Sequence, residues 1–254
     1  MRSIQHTPLQ PRDLLSRHGE IFATFDHRTQ DSGNISYGLR TRSGDLFVKT
    51  AGLRDDHRPL LGFTDRVRLL RSAASLHRGC PHPALATLLT VIASPEGPLL
   101  VYKWAPGRLL RGPQLEAVRQ QPAVALSVLA RLYGLHDALA AQGWIAVDLY
   151  LGSLLYDAGS DRLTVIDLDH YRRAPFTNQM GRMFGSSTLM APEEFRKGER
   201  IDQQTTVFTL GRLARVLAPA LESAAVDRAT AVERAARFET VSAFVAAFRA
   251  ERSV

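Results

Sequence analysis

Two aspartates frame the stretch with the strongest claim to chemistry, Gln142 to Asp169, which reads QGWIAVDLYLGSLLYDAGSDRLTVIDLD. Asp148 stands just before a short apolar run, Leu154-Leu155-Tyr156, and Asp167 closes a second run, Leu163 to Ile166. Ala158-Gly159-Ser160-Asp161 between the runs has the composition of a tight turn. Short apolar runs bounded by turn residues predict a β-hairpin. A hairpin that starts near one carboxylate and ends at another brings both to the same end. Two carboxylates so placed suit one acid that orients a hydroxyl and another that holds a divalent metal. Asp169 lies two residues past Asp167, so in an extended segment its carboxylate would face the same way. Lys49 follows Phe47 and Val48 on a run with strand character, where a buried ammonium is costly without an anion.

The elements that would position these groups follow in order. Pro11 to His18 reads as a short leading helix, and Phe22 to Thr50 as three strands. The strands are separated by the turns Asp31-Ser32-Gly33-Asn34 and Arg42-Ser43-Gly44-Asp45. Arg66 to Leu76 has helical spacing at Val67, Leu70, Ala73 and Ala74. Leu99 to Gly107 reads as a buried strand ending in a Pro-Gly turn. From Gly112 the chain becomes helical, and Ala123 to Ala141 carries Val124, Leu126, Val128, Leu129, Leu132 and Leu135 on a long helix that Gly143 ends.

This order of landmarks resembles the eukaryotic-like protein kinases of the bacterial Ser/Thr type. In that family His-Arg-Asp precedes the hairpin, an Asn follows five residues after the Asp, and Asp-Phe-Gly ends it. Here the matching residues are Ala146-Val147-Asp148, Ser153 and Asp167-Leu168-Asp169. Gly185-Ser186-Ser187-Thr188-Leu189-Met190-Ala191-Pro192-Glu193 is similar to the family's Gly-Thr-x-x-Tyr-Met-Ala-Pro-Glu in spacing and residue type. Thr206-Val207-Phe208-Thr209-Leu210-Gly211 resembles the start of the buried helix that supports the catalytic loop, with Thr206 in place of its Asp. Arg237 to Phe244 resembles the final helix, whose Arg pairs with the Ala-Pro-Glu acid, so a Glu193–Arg237 ion pair is expected.

The resemblance spans roughly Phe22 to Arg249 and implies an α+β, two-lobed protein kinase-like fold as a single domain. A small antiparallel β-sheet lobe with one helix would cover about 20–103, and a larger helical lobe about 104–254. It implies ATP and Mg²⁺ as cofactors. Asp148 would take the hydroxyl proton, Asp167 would hold the metal, and Lys49 would meet the α/β-phosphates. Ser32, Gly33, Ser36 and Gly38 would line the phosphates, with only two glycines left of the family's Gly-x-Gly-x-x-Gly. Tyr102, Lys103, Trp104 and Ala105 would receive the adenine. Ser153 and Asp169 would supply the second metal position. The helix Glu that partners the strand lysine in that family has no counterpart, since the corresponding turn reads Arg71-Ser72-Ala73. Val147 replaces the Arg that reads a phosphorylated activation loop, so regulation of that kind is not expected. Three readings stay open: an atypical Ser/Thr protein kinase acting on a protein substrate, a pseudokinase scaffold or nucleotide-binding module, and a small-molecule phosphotransferase of the aminoglycoside type.

Composition limits the alternatives. The chain of 254 residues is 45% hydrophobic and 22% charged, as in ordinary globular proteins. Its net charge of +7 comes from scattered residues with no Lys/Arg run interleaved with aromatics, which argues against nucleic acid. No apolar run approaches the ~18 residues of a membrane helix; the best stretch, Pro122 to Ala141, contains Arg131, His136 and Asp137. The N-terminus lacks an apolar signal core, and the single cysteine, Cys80, excludes an intramolecular disulfide. A cytoplasmic setting without membrane contact is expected.

Overall fold

The computed structural model describes residues 11–29, 32–56 and 58–252, together with the backbone of residues 5–6. The chain divides into two compact units, residues 1–79 with 86–105, and residues 80–85 with 106–254. The short stretch 80–85, expected in the first half, therefore belongs with the second.

The first unit is built on a sheet of β1 (Gln5–His6), β2 (Glu20–Phe25), β3 (Ile35–Thr41), β4 (Gly44–Thr50), β5 (Leu88–Ala93) and β6 (Leu99–Lys103), with helices α1 (Pro11–Ser16) and α2 (Phe63–Gly79). The strand order is β1-β5-β6-β4-β3-β2, antiparallel except for the two-residue pairing of β1 with β5. Successive residues of a strand point to opposite faces, and the register sorts them cleanly. Tyr37, Leu39, Leu46, Val48 and Val101 share one face and pack with Leu15 of α1 and Leu99 into a core. Ser36, Gly38, Phe47, Lys49, Leu100 and Tyr102 share the other. The β3–β4 connection is a tight hairpin closed by a Thr41–Gly44 pair, so its turn is only Arg42-Ser43. Helix α2 extends beyond the stretch that its apolar spacing marks. Arg66, near its start, is buried and donates at 2.7 Å to each of the carbonyls of Ala51, Leu53 and Leu61. Those bonds fasten the preceding loop to the helix, which periodicity alone does not reveal.

In the second unit come β7 (Arg108–Leu109), α3 (Pro113–Arg119), α4 (Pro122–Ala141), β8 (Trp144–Ile145), β9 (Leu154–Asp157) and β10 (Arg162–Val165). They are followed by β11 (Arg172–Arg173), β12 (Phe176–Thr177), β13 (Arg200–Ile201), α5 (Gln203–Leu217), α6 (Ala224–Ala229) and α7 (Val241–Ala250). Helix α4 runs through the core: Val128, Leu129, Leu132 and Leu135 are fully buried, and the Tyr133 ring meets Phe244 and Phe248 of α7 edge-on at 4.9 and 4.8 Å. By length and composition α4 could cross a membrane, but half of it is buried inside the protein, as in a core helix. The expected hairpin is formed by β9 and β10, paired from Arg162–Asp157 to Val165–Leu154. The architecture is α+β, with an antiparallel sheet in one unit and mostly helices in the other.

Candidate functional site

In the second unit the hairpin brings its two flanking segments together. Ile166 N–H donates to Ser153 O at 2.8 Å, just past the last strand pair. Two side chains then cross between the segments. Tyr150, two residues after Asp148, donates its hydroxyl to Asp167 Oδ2 at 3.2 Å. His170, three residues after Asp167, places Nε2 3.9 Å from Asp148 Oδ2 and packs at a tilt against Phe184, with ring centroids 4.7 Å apart. Both aspartates adopt the left-handed backbone region, φ 60° for Asp148 and φ 61° for Asp167. Non-glycine residues there are uncommon and cost ~1 kcal/mol or more, so the surrounding contacts must hold them. Their side chains are neither deeply buried nor fully exposed.

The floor beneath is a buried polar chain. Tyr171 donates its hydroxyl to His136 Nε2 at 2.8 Å, and His136 Nδ1–H donates to Leu132 O at 2.8 Å. That tautomer follows from the carbonyl, which can only accept. Burial pushes His136 down to about 4, keeping it neutral, and raises the Tyr171 phenol, with the Asp148 and Asp167 carboxylates adding to the rise. That one phenol senses both carboxylates agrees with their convergence.

The remaining supports are packing and backbone contacts. Thr206 on α5 accepts the Ala146 N–H at 3.1 Å, which ties the backbone two residues ahead of Asp148 to that helix. Val147 lies in an apolar cluster with Ile145, Met183, Met190 and Ile201. Burial of Val147 there ties its segment to the stretch that carries Met183 and Met190. Gly185, at φ 141°, lies so near that an added Cβ would come 3.0 Å from Met190 Cγ and 3.8 Å from Asp148 Cα. Glu193 and Arg237 form the expected ion pair, with bonds of 2.8 and 3.2 Å and both residues buried. Glu194 beside them accepts the Ala191 N–H at 2.7 Å, and burial raises its carboxyl to about 8.

The expectation for Asp169 rested on an extended segment, and the backbone is not extended. Strand β10 ends at Val165, Asp167 turns left-handed, and Asp169 opens a turn with its side chain buried. Ser153 is also buried, and its hydroxyl donates to Tyr150 O at 2.7 Å. Among the described residues, no group of three or more His, Cys, Asp or Glu is gathered as for a metal ion.

In the first unit, four of the expected cofactor residues, Ser36, Gly38, Lys49 and Tyr102, share one sheet face, and Lys103, opposite Leu46, falls on the other. Lys103 ends β6 and Trp104 follows it. Lys49 is buried; its neighbour from α2 is His77, which burial and the Lys49 ammonium push down to about 4. The His77 ring stands edge-on to Tyr102 at 5.2 Å. The lysine thus has a neutral imidazole nearby on the helix that carries Glu in the resembling family. Ser36 Oγ is buried with no hydrogen-bond partner among the described residues. Gly38 is covered by Phe22, whose ring carbons would lie 2.7 Å from an added Cβ. Gly33, at φ 78°, abuts Pro59 in the same way, and Ser32 Oγ accepts the Asn34 N–H at 3.3 Å. Asp31 of that turn lies outside the described residues. Lys103 N–H donates to Thr87 O and Trp104 N–H to Asp45 O, so two amides of the expected adenine edge already serve the fold. Ala105 follows them at the end of the unit.

No family model matches the sequence. No curated protein matches it either. Among solved structures, the kinase PK-1 of Cydia pomonella granulovirus superposes over 93% of this chain and 98% of that chain, with a TM-score of 0.67 and 17% identity. The fold is kinase-like. Identity at this level speaks for the fold alone, and the chemistry rests on the residues described above.

Proposed function

We propose that this protein is an ATP- and Mg²⁺-dependent phosphotransferase that moves the γ-phosphoryl group to a protein Ser or Thr hydroxyl. The observation that carries the reading is the crossed pair of contacts, Tyr150 to Asp167 and His170 to Asp148, at the end of the β9–β10 hairpin. They hold two carboxylates from distant parts of the sequence together, each on a backbone conformation that must be paid for by its surroundings.

In the reaction, the acceptor oxygen forms a bond to Pγ as the bridging Pβ–O–Pγ bond breaks and ADP departs. Asp148 takes the hydroxyl proton, and Lys49 meets the α/β-phosphates as a point charge. The Asp167 carboxylate supplies hard oxygen donors, which suits Mg²⁺, an ion held by one or two carboxylates plus substrate phosphates rather than by a full protein cage. Bound there, the ion would neutralise charge developing on the phosphates. The protein acceptor is favoured by the Gly185–Glu193 segment, fastened by Met183 and Met190 packing and by the Glu193–Arg237 pair. Burial of Val147 in that packing supports a segment that needs no phosphate to order it. A cytoplasmic location fits this reading.

A second reading, a nucleotide-binding scaffold, draws on the first unit, where Phe22 covers Gly38. Transfer of radiolabelled γ-phosphate to dephosphorylated casein or to the protein itself separates the two. The wild type should label an acceptor and Asp167→Asn should not, with its fold intact by circular dichroism. Nucleotide binding with no transfer above the Asp167→Asn level would move the assignment to the scaffold, and transfer to an aminoglycoside instead would move it to a small-molecule enzyme.

A further inference from the structure

Tyr150 has no role in the chemistry above, and its placement is specific. Its backbone is extended, at φ −148° and ψ 169°, and Ser153 clamps it from both sides. Ser153 Oγ donates to Tyr150 O at 2.7 Å and accepts Tyr150 N–H at 3.4 Å. The ring lies against Gly152, where an added Cβ would come 2.5 Å from Tyr150 Cε2, so a residue with a side chain there would push the ring away. From this seat the hydroxyl reaches Asp167 Oδ2 at 3.2 Å.

We propose that Tyr150 is a positioning residue that gates the Asp167 carboxylate: its hydroxyl occupies, before nucleotide binds, an oxygen lone pair that the metal ion needs. The inference rests on the phosphotransferase reading. A phenol O–H and a divalent cation cannot share one lone pair, because both bring positive charge to it. The hydroxyl is suited to hold the place and then yield. Its bond is longer than the ~2.7–2.8 Å of a well-formed O–H···O contact, and Tyr150 is only partly buried, so the ring has room to turn away. While it stays, it satisfies a carboxylate on a left-handed residue and keeps the hairpin end assembled. When it leaves, the phenol is released from a residue two positions after Asp148.

A purely structural tyrosine and a gating one make opposite demands on metal affinity. Loss of a structural support should loosen the metal site; loss of a competitor should tighten it. The experiment is a magnesium titration of the full chain at saturating ADP, read by the melting midpoint and by calorimetry, on wild type, Tyr150→Phe and Gly152→Ala. Tyr150→Phe should lower the half-saturating Mg²⁺ concentration about three- to tenfold, the net worth of one ordinary hydrogen bond, since at 3.2 Å this one is long. Gly152→Ala keeps the hydroxyl but displaces the ring, and should shift the midpoint in the same direction; it also carries the test should Tyr150→Phe fold poorly. A magnesium response in wild type that is unchanged or weakened in both variants overturns the gate and leaves the nucleotide site standing. No response in any of the proteins overturns both.

Discussion

Removing Arg237 takes a guanidinium away from a carboxylate that is itself only 3% exposed. Glu193 would keep the Thr205 hydroxyl at 2.9 Å and the more distant Arg234 at 3.4 Å, neither of which replaces a buried, two-pronged partner. Arg237 also donates to Ala231 O and Val232 O, so those carbonyls lose their donor as well. Breaking a buried ion pair by deleting one partner costs ~3–5 kcal/mol, because the remaining charge stays desolvated. For a chain of this size each kcal/mol lowers the melting temperature by ~2–4 °C, so Arg237→Ala should melt roughly 6–20 °C below wild type. Equilibrium unfolding in urea supplies the free energy. The double variant Glu193→Met/Arg237→Met should lose less than Arg237→Ala alone, since removing both charges leaves none buried. An Arg237→Ala loss below ~1 kcal/mol, the range of an exposed pair, would refute the claim that this bond fastens the segment after Gly185.

Two further outcomes follow from neighbouring contacts. Folding raises the Glu194 carboxyl from 4.5 to about 8, so between those values the folded protein keeps a proton that the unfolded chain has lost. Stability should therefore fall as pH rises from about 4.5 to about 8 and level off above, by on the order of 5 kcal/mol at most; Glu194→Gln should flatten that slope, and a wild-type slope in the variant would assign it to other groups. Thr206→Val leaves the buried Ala146 N–H without its acceptor and should cost ~1–3 kcal/mol in urea unfolding. It should reduce phosphoryl transfer more than nucleotide binding, because it frees the backbone just ahead of Asp148.

What the sequence made legible was whatever depends on order and spacing. The hairpin, Asp148 and Asp167 at its end, and the Glu193–Arg237 pair all follow from residue type at a given distance along the chain. Thr206 was also readable, because a hydroxyl can accept the bond that a carboxylate would. What it concealed depends on backbone turns and on contacts between loops. Asp169 seemed to align with Asp167 because alternation was assumed, and a left-handed residue breaks alternation. Tyr150 and His170 carry no periodic signal, since each acts across a loop onto the other aspartate. His77 falls four residues beyond the helix turn where an acid was sought, and only the packing of α2 brings it to Lys49 and Tyr102. Gly38 reads as a phosphate-loop glycine, yet its missing side chain makes room for Phe22.

The most direct test of the central claim is the melting temperature of wild type and Lys49→Ala with millimolar ATP, with and without Mg²⁺. A ligand that binds only the folded state stabilises it by ~2.7 kcal/mol at a hundred times its dissociation constant, a rise of roughly 5–10 °C here. The account predicts a magnesium-dependent rise in wild type that Lys49→Ala abolishes or sharply reduces. An identical rise in both proteins, or none in either, would contradict it.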